Sequence, residues 1–404
     1  MSRLFGDHYL NKLTADEQKL IARLRSLCDS DIGPNAAKVG GEDVFAWDTF
    51  RLLADNGIIA SAFPRAYGGA GSRQAVRIRI IEELGRVCSA AASMVTGADL
   101  SARAIVAGAS DELQASLVPR LASGDIQAAF GLTEPGAGSD VRSLKTTMER
   151  AGDDYIINGE KKFITRAGTA DWLVIVGRAT DDRSKFIAML VPRDTEGVTI
   201  SPTTGKLGWY GVPIASIHLE NARVPASHRL GQEGDGFSLA QDALVRARIG
   251  HAAMALGRAI GAVEIAAAYA CDRDLFGKPL GGHQGVQWMF AEMATQIEAA
   301  RALVALAAEK YDDNDPDGPI YASMAKLHAT DLGMKVVTDA LQLTGGRGYL
   351  KDFPLERFFR DAKLNQIGEG SSEVHKTLIG RDLIRRTPGA ERNPCLNQGP
   401  VTDY

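Results

Sequence analysis

Two stretches of this 404-residue chain combine polar atoms with glycine in ways that could hold a ligand. The first is Phe130-Gly131-Leu132-Thr133-Glu134-Pro135-Gly136-Ala137-Gly138-Ser139-Asp140-Val141. There Thr133 and Ser139 set hydroxyls beside a backbone that Gly136 and Gly138 let a ligand approach closely, while Pro135 lacks an amide donor. Such a loop can cradle a phosphate or the polar edge of a flat ring; the same residues would also serve as an exposed turn between domains. The second is Gly368-Glu369-Gly370-Ser371-Ser372-Glu373, two carboxylates and two hydroxyls where a helix could begin. Arg273, near Phe276-Gly277, reads by itself as a solvated charge at a helix end. Gly345-Gly346-Arg347-Gly348 allows close backbone approach but follows an apparent helix rather than a strand, so it is not a Rossmann fingerprint.

Other chemistries are poorly served. The four cysteines (Cys28, Cys88, Cys271, Cys395) are scattered, and the seven histidines include no His-x-x-x-His pair. Neither a disulfide framework nor a bound metal is expected, and a reduced cytoplasm suits this cysteine usage. Asp313-Asn314-Asp315-Pro316-Asp317-Gly318 imitates the start of a calcium loop, but its twelfth position is Met324 and Pro316 stiffens the turn, so it reads as a solvated inter-helix loop. The formal net charge of −4, without a long basic run, argues against nucleic acid. Apolar runs are broken by charge well short of a membrane span, and Met1 to Asp7 meets an acid without an apolar signal core. With 45% hydrophobic and 24% charged residues, the composition is that of an ordinary soluble protein able to bury a large core.

The elements that must position these residues change character twice. Residues 1–129 read as a helical domain: Leu20, Ile21, Leu24 and Leu27 recur at helical spacing behind a Thr14 cap, Val76, Ile80, Leu84 and Val87 share one face, and Ser110 opens a helix that ends near Gly124. Residues 130–235 read as β structure. Tyr155 to Ile164 is expected to be a hairpin turning at Asn158-Gly159, and Trp172–Val176 and Phe186–Val191 are strands covered on both faces. Residues 236–388 read as a helical bundle rich in small residues (Ala252, Ala253, Gly257, Gly261, Ala262) that let helix axes approach closely. Residues 389–404 form a tail, expected to be loose.

Six segments in this order resemble the acyl-CoA dehydrogenase family of flavoproteins across roughly residues 15–386. They are the Thr133–Asp140 run, Asn158–Thr165, Asp272–Leu280, Gln342–Tyr349, Arg360–Lys363 and Ile367–Glu373. The resemblance implies an α+β fold with an N-terminal helical domain, a middle β-barrel or sandwich domain and a C-terminal four-helix bundle, and it implies FAD. Phe130, Leu132, Thr133, Gly138 and Ser139 would line the flavin, Phe163 would pack on the ring, and Thr165 would sit near N5. Arg273, Phe276, Gln342 and Gly346 match positions that reach the ADP half of a neighbouring subunit's FAD, and His283, Ser371 and Glu373 complete the expected cofactor set. A homotetramer, as a dimer of dimers, follows from such sharing. Glu369 matches the base that removes the α-proton of an acyl thioester while the β-hydrogen leaves as hydride, a task for a carboxylate raised in pKa by a mainly apolar pocket. An electron-transfer flavoprotein or similar acceptor is the implied partner.

Departures from the family pattern bear on the substrate. Gly368 replaces a frequent aromatic residue and would widen the pocket, pointing to a branched, cyclic or substituted acyl group. Arg248 keeps the family arginine, and Tyr210 stands where relatives often have Arg. Val245 replaces a polar residue that binds the pantetheine arm, which opens the alternative of an acyl group on a carrier protein instead of CoA. Ser139, Val245, Arg248, Gly368 and Gly370 are the expected substrate contacts. The remaining alternatives are an oxygen-using flavin oxidase or monooxygenase and a non-catalytic thioester-binding protein.

Overall fold

A computed structural model describes residue 5 and residues 12–388; the expected loose tail at 389–404 lies outside the described residues. Among the described residues six α-helices come first: α1 (Ala15–Leu27), α2 (Gly33–Val39), α3 (Trp47–Asp55), α4 (Gln74–Val87), α5 (Ser89–Gly108) and α6 (Asp111–Ser123). Their ends follow local chemistry. Thr14 and Glu17 form a reciprocal capping box on α1. Ser110 caps α6, and Gly124 closes it at φ 79°. Helix α4 is buried nearly all round, with Arg77, Arg79, Glu82 and Glu83 inside. These charges are paired: Arg301 reaches Glu82 at 2.7 Å and Arg25 reaches Glu83 at 2.8 Å.

Strands β1 (Ala128–Gly131), β2 (Thr147–Ala151), β3 (Asp154–Thr165), β4 (Trp172–Ala179), β5 (Phe186–Pro192), β6 (Val198–Thr203), β7 (Ile214–Pro225) and β8 (Arg229–Leu230) make one eight-stranded sheet. Its path runs β6-β7-β3-β2-β4-β5-β8, with β1 parallel to β4. The continuous apolar runs are β4 and β5, buried along nearly their whole length. The expected hairpin at Asn158-Gly159 is corrected: β3 runs straight through it, and the ladder with β7 only shifts register there, as a bulge. Gly159 has φ 151°, and a Cβ on it would meet the Thr146 side-chain oxygen at 2.5 Å. The Asn158 side chain accepts from the Asn221 amide at 2.7 Å. The turn falls earlier, between β2 and β3 at Gly152, φ 68°. Asn-Gly thus serves close approach rather than chain reversal.

Helix α7 (Gly236–Asp272) spans 37 residues and is followed by the two short strands β9 (Asp274–Leu275) and β10 (Lys278–Pro279). Then come α8 (Gln284–Asp312), α9 (Gly318–Leu343), the single turn α10 (Gly345–Gly348), α11 (Pro354–Ile367) and α12 (Ser372–Arg385). The small residues of α7 work as expected, though against α4 as well as within the bundle. A Cβ on Gly257 or Gly261 would lie 2.1 Å from the carbonyl oxygen of Glu82 or Arg86. Helices α7 and α9 run in the same sense: Gly333 faces Ala255, while Ala262 and Ala266 cluster with Val337 and Ala340. That register sets residues near 248 level with those near 326. Among the described residues α7 alone is long and apolar enough to cross a membrane, and 67% of that window is buried within the chain.

Candidate functional site

The Thr133–Asp140 loop leaves the end of β1 beside β3. Phe130 is half-buried on β1, opposite Val174, and Leu132 is buried with its carbonyl accepting from Lys161 at 3.0 Å. Glu134 is the loop's internal anchor. Its carboxylate accepts from the Lys145 and Thr146 amides at 2.6 and 3.0 Å and from Lys161 Nζ at 2.7 Å. Burial opposes its ionisation, but the Lys161 ammonium outweighs that and holds Glu134 below the usual carboxylate range, while burial pushes Lys161 down to about 8. Beyond this anchor the loop is open. Gly136, Gly138 and Ser139 are exposed, Thr133 is half-exposed, and a Cβ on either glycine would meet nothing within 4 Å.

Phe163 is the second wall. At φ 60° it sits where the β3–β7 ladder shifts register between Lys161 and Ile164, and its ring stands 56% exposed instead of joining the sheet's core. A non-glycine residue held at positive φ in order to expose an aromatic ring calls for a ligand on that ring. Thr165, two residues on, is half-buried and pairs with Ile214. These residues fit a flavin: a flat aromatic wall, an open glycine edge and the Thr133 and Ser139 hydroxyls meet on one rim of the sheet.

Glu369 lies in the turn between α11 and α12 at φ 55°, followed by Gly370 at φ 93°. Ser371 caps α12 through the Val374 amide, and Glu373 is exposed in that first turn, held low by the helix-start amide and the Ser371 hydroxyl. The strained turn is tied down from two sides. Lys326 on α9 donates to the Gly370 carbonyl at 2.5 Å, and His375 Nε2 lies 3.2 Å from the Glu369 carbonyl. The Glu369 carboxyl, 20% exposed, is pushed above the usual carboxylate range by burial, with Arg248 and Lys326 opposing. Burial brings Lys326 down to about 8 and Arg248 down to about 10.

The surroundings of Glu369 therefore differ from the mainly apolar pocket expected. Arg248, Lys326, His251 and His375 converge on it, and both imidazoles are pushed down to about 3, first by burial, and so stay neutral. Arg248 Nε has no hydrogen-bond partner among the described residues. Val245, one turn earlier, is buried in the apolar core, and Gly368 is half-exposed with 3.8 Å between its would-be Cβ and His251 Cε1.

The third expected group stands at the far end of α7 and α9. Arg273 follows α7, and Phe276, at φ 50° and 90% exposed, tips the β9–β10 ribbon. His283 braces that ribbon, its Nε2 lying 2.8 Å from the Leu275 carbonyl. Gln342 and Gly346 are exposed where α9 passes into α10, and a Cβ on Gly346 would meet nothing within 4 Å. The parallel course of α7 and α9 brings these residues to one end of the bundle, where Arg273, Phe276, Gln342 and Gly346 are exposed.

Sequence reasoning passed over Lys326, His251, His375, Asn365, Arg258 and Trp209. A signal existed for Lys326, which falls on the same helical stripe as Ala322, Ala329, Thr330 and Gly333 (all buried). For His251 the only hint was an imidazole inside the Gly250–Gly257 run of otherwise apolar residues, and for Trp209 there was none.

Comparison with known proteins adds the following. Family models match three parts of the chain: the acyl-CoA dehydrogenase N-terminal domain over residues 14–125, the middle domain over 129–222 and the C-terminal domain over 234–384. The chain is 38% identical to an acryloyl-CoA reductase (NADH) from Anaerotignum propionicum, over 93% of this chain and 96% of the relative. Butyryl-CoA dehydrogenase from Megasphaera elsdenii superposes with a TM-score of 0.89 at 32% identity, over 93% of this chain and 99% of that one. A glutaryl-CoA dehydrogenase from Mycobacterium smegmatis in complex with FADH2 superposes with a TM-score of 0.88 at 28% identity, over 96% and 98%.

Proposed function

We propose, for a chain that belongs to the acyl-CoA dehydrogenase family of flavin-dependent oxidoreductases, that it removes the α-proton and β-hydride of an acyl thioester with Glu369 as the base. The observation that carries this reading is the Glu369 carboxyl, raised by burial and held at positive φ against a cationic pair. A carboxylate of raised pKa takes a proton more readily, and one that is tied at its backbone stays aimed. FAD would be held by Phe130, Leu132, Thr133, Gly138, Ser139, Phe163 and Thr165 on one side, and by Arg273, Phe276, His283, Gln342 and Gly346 of a neighbouring subunit on the other. When bound it supplies the hydride acceptor. Arg248 and Lys326 stabilise the charged Glu369 before proton transfer, and the Glu369 backbone amide would donate to the enolate oxygen that develops. Ser371 and Glu373, at the start of α12, would complete the FAD contacts.

An acyl-CoA is the first candidate substrate. An acyl group on a carrier protein is the second, favoured by the buried apolar Val245, which offers no hydrogen bond to a pantetheine arm. The acyl group is read as branched, cyclic or substituted, since nothing at Gly368 fills the space beside the base. Electrons then pass to an electron-transfer flavoprotein or similar acceptor, in a cytoplasmic homotetramer. The purified protein should be yellow, and anaerobic addition of its acyl thioester should bleach the flavin. Glu369→Gln should keep the flavin and lose bleaching by at least about a hundredfold, the scale of a lost general base. Bleaching at wild-type rate in that variant would remove Glu369 from the role.

A further inference from the structure

Behind Glu369 lies a line of buried polar groups, Arg258, Asn365 and His251. Arg258 on α7 is fully buried and, among the described residues, has no carboxylate within salt-bridge distance; its Nη1 donates to Asn365 Oδ1 at 2.6 Å, and its Nε donates to the Ser89 hydroxyl at 3.1 Å. A guanidinium can only donate, so it fixes which end of the Asn365 amide faces it. The amide nitrogen is thereby turned the other way, onto His251 Nδ1 at 3.3 Å and Met254 Sδ at 3.8 Å. An amide nitrogen likewise only donates. Nδ1 of His251 must therefore be the bare, accepting nitrogen, and the ring proton sits on Nε2.

That nitrogen lies near the base. His251 Nε2 is 4.0 Å from Glu369 Oε1. The ring is held flat by Trp209, stacked on it at 5.6 Å between centroids with 29° between planes. Trp209 is itself locked to α11, its amide and its indole N–H donating to Asp361 at 2.6 and 2.9 Å. The other side of the ring borders Gly368, the position without a side chain. Every contact fixes the imidazole's angle or its tautomer, and the one nitrogen left over faces Glu369.

We propose that Arg258, Asn365 and His251 form a positioning relay whose only output is an uncharged Nε2–H presented to the Glu369 carboxylate, closing from 4.0 Å to a hydrogen bond when substrate fills the pocket. Hydrogen bonds at such sites are often long before the substrate binds and tighten afterwards. A neutral donor suits this place. It orients one carboxylate oxygen and stabilises the anion, yet it leaves the proton that the base must collect to come from the substrate, since the buried ring does not titrate in the working range. The charged groups that face Glu369 are otherwise Arg248 from α7 and Lys326 from α9, with the neutral His375 from α12 on its carbonyl. The relay rests on Glu369 being the base, but its geometry is tested without turnover.

The experiment is NMR of the holoenzyme labelled with ¹⁵N-histidine and [5-¹³C]glutamate, with His251 and Glu369 assigned from the His251→Gln and Glu369→Gln spectra. The His251 signals should be those of a neutral ring protonated on Nε2 across pH 5 to 9, and they should change to a mixture of tautomers in Asn365→Leu. The Glu369 carboxyl should titrate at higher pH in His251→Leu than in the wild type, and His251→Gln, which restores a neutral N–H, should bring it back. Anaerobic bleaching in His251→Leu should be slower by about tenfold, the scale of one hydrogen bond to a charged group, with the half-saturating substrate concentration unchanged. A proton on Nδ1 of His251 in the wild type, or a Glu369 titration indifferent to His251→Leu, would overturn the relay. Loss of bleaching in every thioester tested, with the titrations as expected, would instead count against the proposed reaction.

Discussion

Glu369 is costly to the fold, and that cost can be measured. Burial raises its pKa, so the folded chain keeps a proton that the unfolded chain gives up; stability is lost as pH rises from the ordinary carboxylate range through the raised value. Glu369→Gln removes that loss. Its melting temperature should match the wild type near pH 4, roughly the unperturbed carboxylate range, and exceed it increasingly towards pH 8. Equal melting temperatures at pH 8 would mean the carboxyl is not strained by its site. Lys326→Met tests the opposing side. Without the ammonium, Glu369 should ionise at still higher pH, and the pH at which bleaching sets in should move up. Glu134, by contrast, is a carboxylate whose Lys161 partner and amide donors make it part of the scaffold, so Glu134→Gln should lower stability before it touches the chemistry.

Among the elements, α7 does the most positioning. It carries Arg248 and His251 towards Glu369 and Arg258 to Asn365, and its far end carries Arg273 to the β9–β10 ribbon. It holds those places because Gly257 and Gly261 let α4 lie directly on it. Gly257→Ala or Gly261→Ala, each with a Cβ 2.1 Å from a carbonyl oxygen, should cost about 1–3 kcal/mol or more in denaturant unfolding, as overpacking does. A loss below about 0.5 kcal/mol would show that the helices can part without penalty. The same sequence pattern that announced close packing did not say which helix would be the partner. Small residues advertise a flat face, and the face on the other side is chosen by the whole fold. Asn158-Gly159 makes the converse point. A dipeptide suited to tight turns became a bulge because Thr146 passes so close to Gly159 that no side chain fits, and a neighbour 13 residues away in sequence is invisible to local pattern.

For the whole molecule, the exposed end formed by Arg273, Phe276, Gln342 and Gly346 is the surface that most needs a partner. Phe276 at 90% exposed and Tyr349 at 83% are large rings left in water by the single chain. If a neighbouring subunit's FAD lies there, Phe276→Asp should weaken flavin retention and shift the protein from four chain masses to smaller species in light scattering after size exclusion. A tetramer with full flavin in that variant would place the ADP half elsewhere.

The sequence by itself determined the order helix, sheet, helix, and the family resemblance singled out the Thr133–Asp140 loop, Glu369 and Arg273, since each lies in a contiguous motif whose residue types are chemically constrained. Caps at Thr14, Ser110 and Ser371 were legible for the same reason: capping is a contact over three residues. Only the tertiary structure decided what surrounds Glu369. Lys326 meets Gly370 across 44 residues, Asn365 meets His251 across 114, and Trp209 meets Asp361 across 152. No local period encodes such pairings. They arise because α7 and α9 lie parallel in one register, α11 crosses them, and a loop of the sheet closes over the junction. Those contacts set the tautomer, the charge and the pKa of the groups around Glu369, and so the chemistry that the motif could only locate.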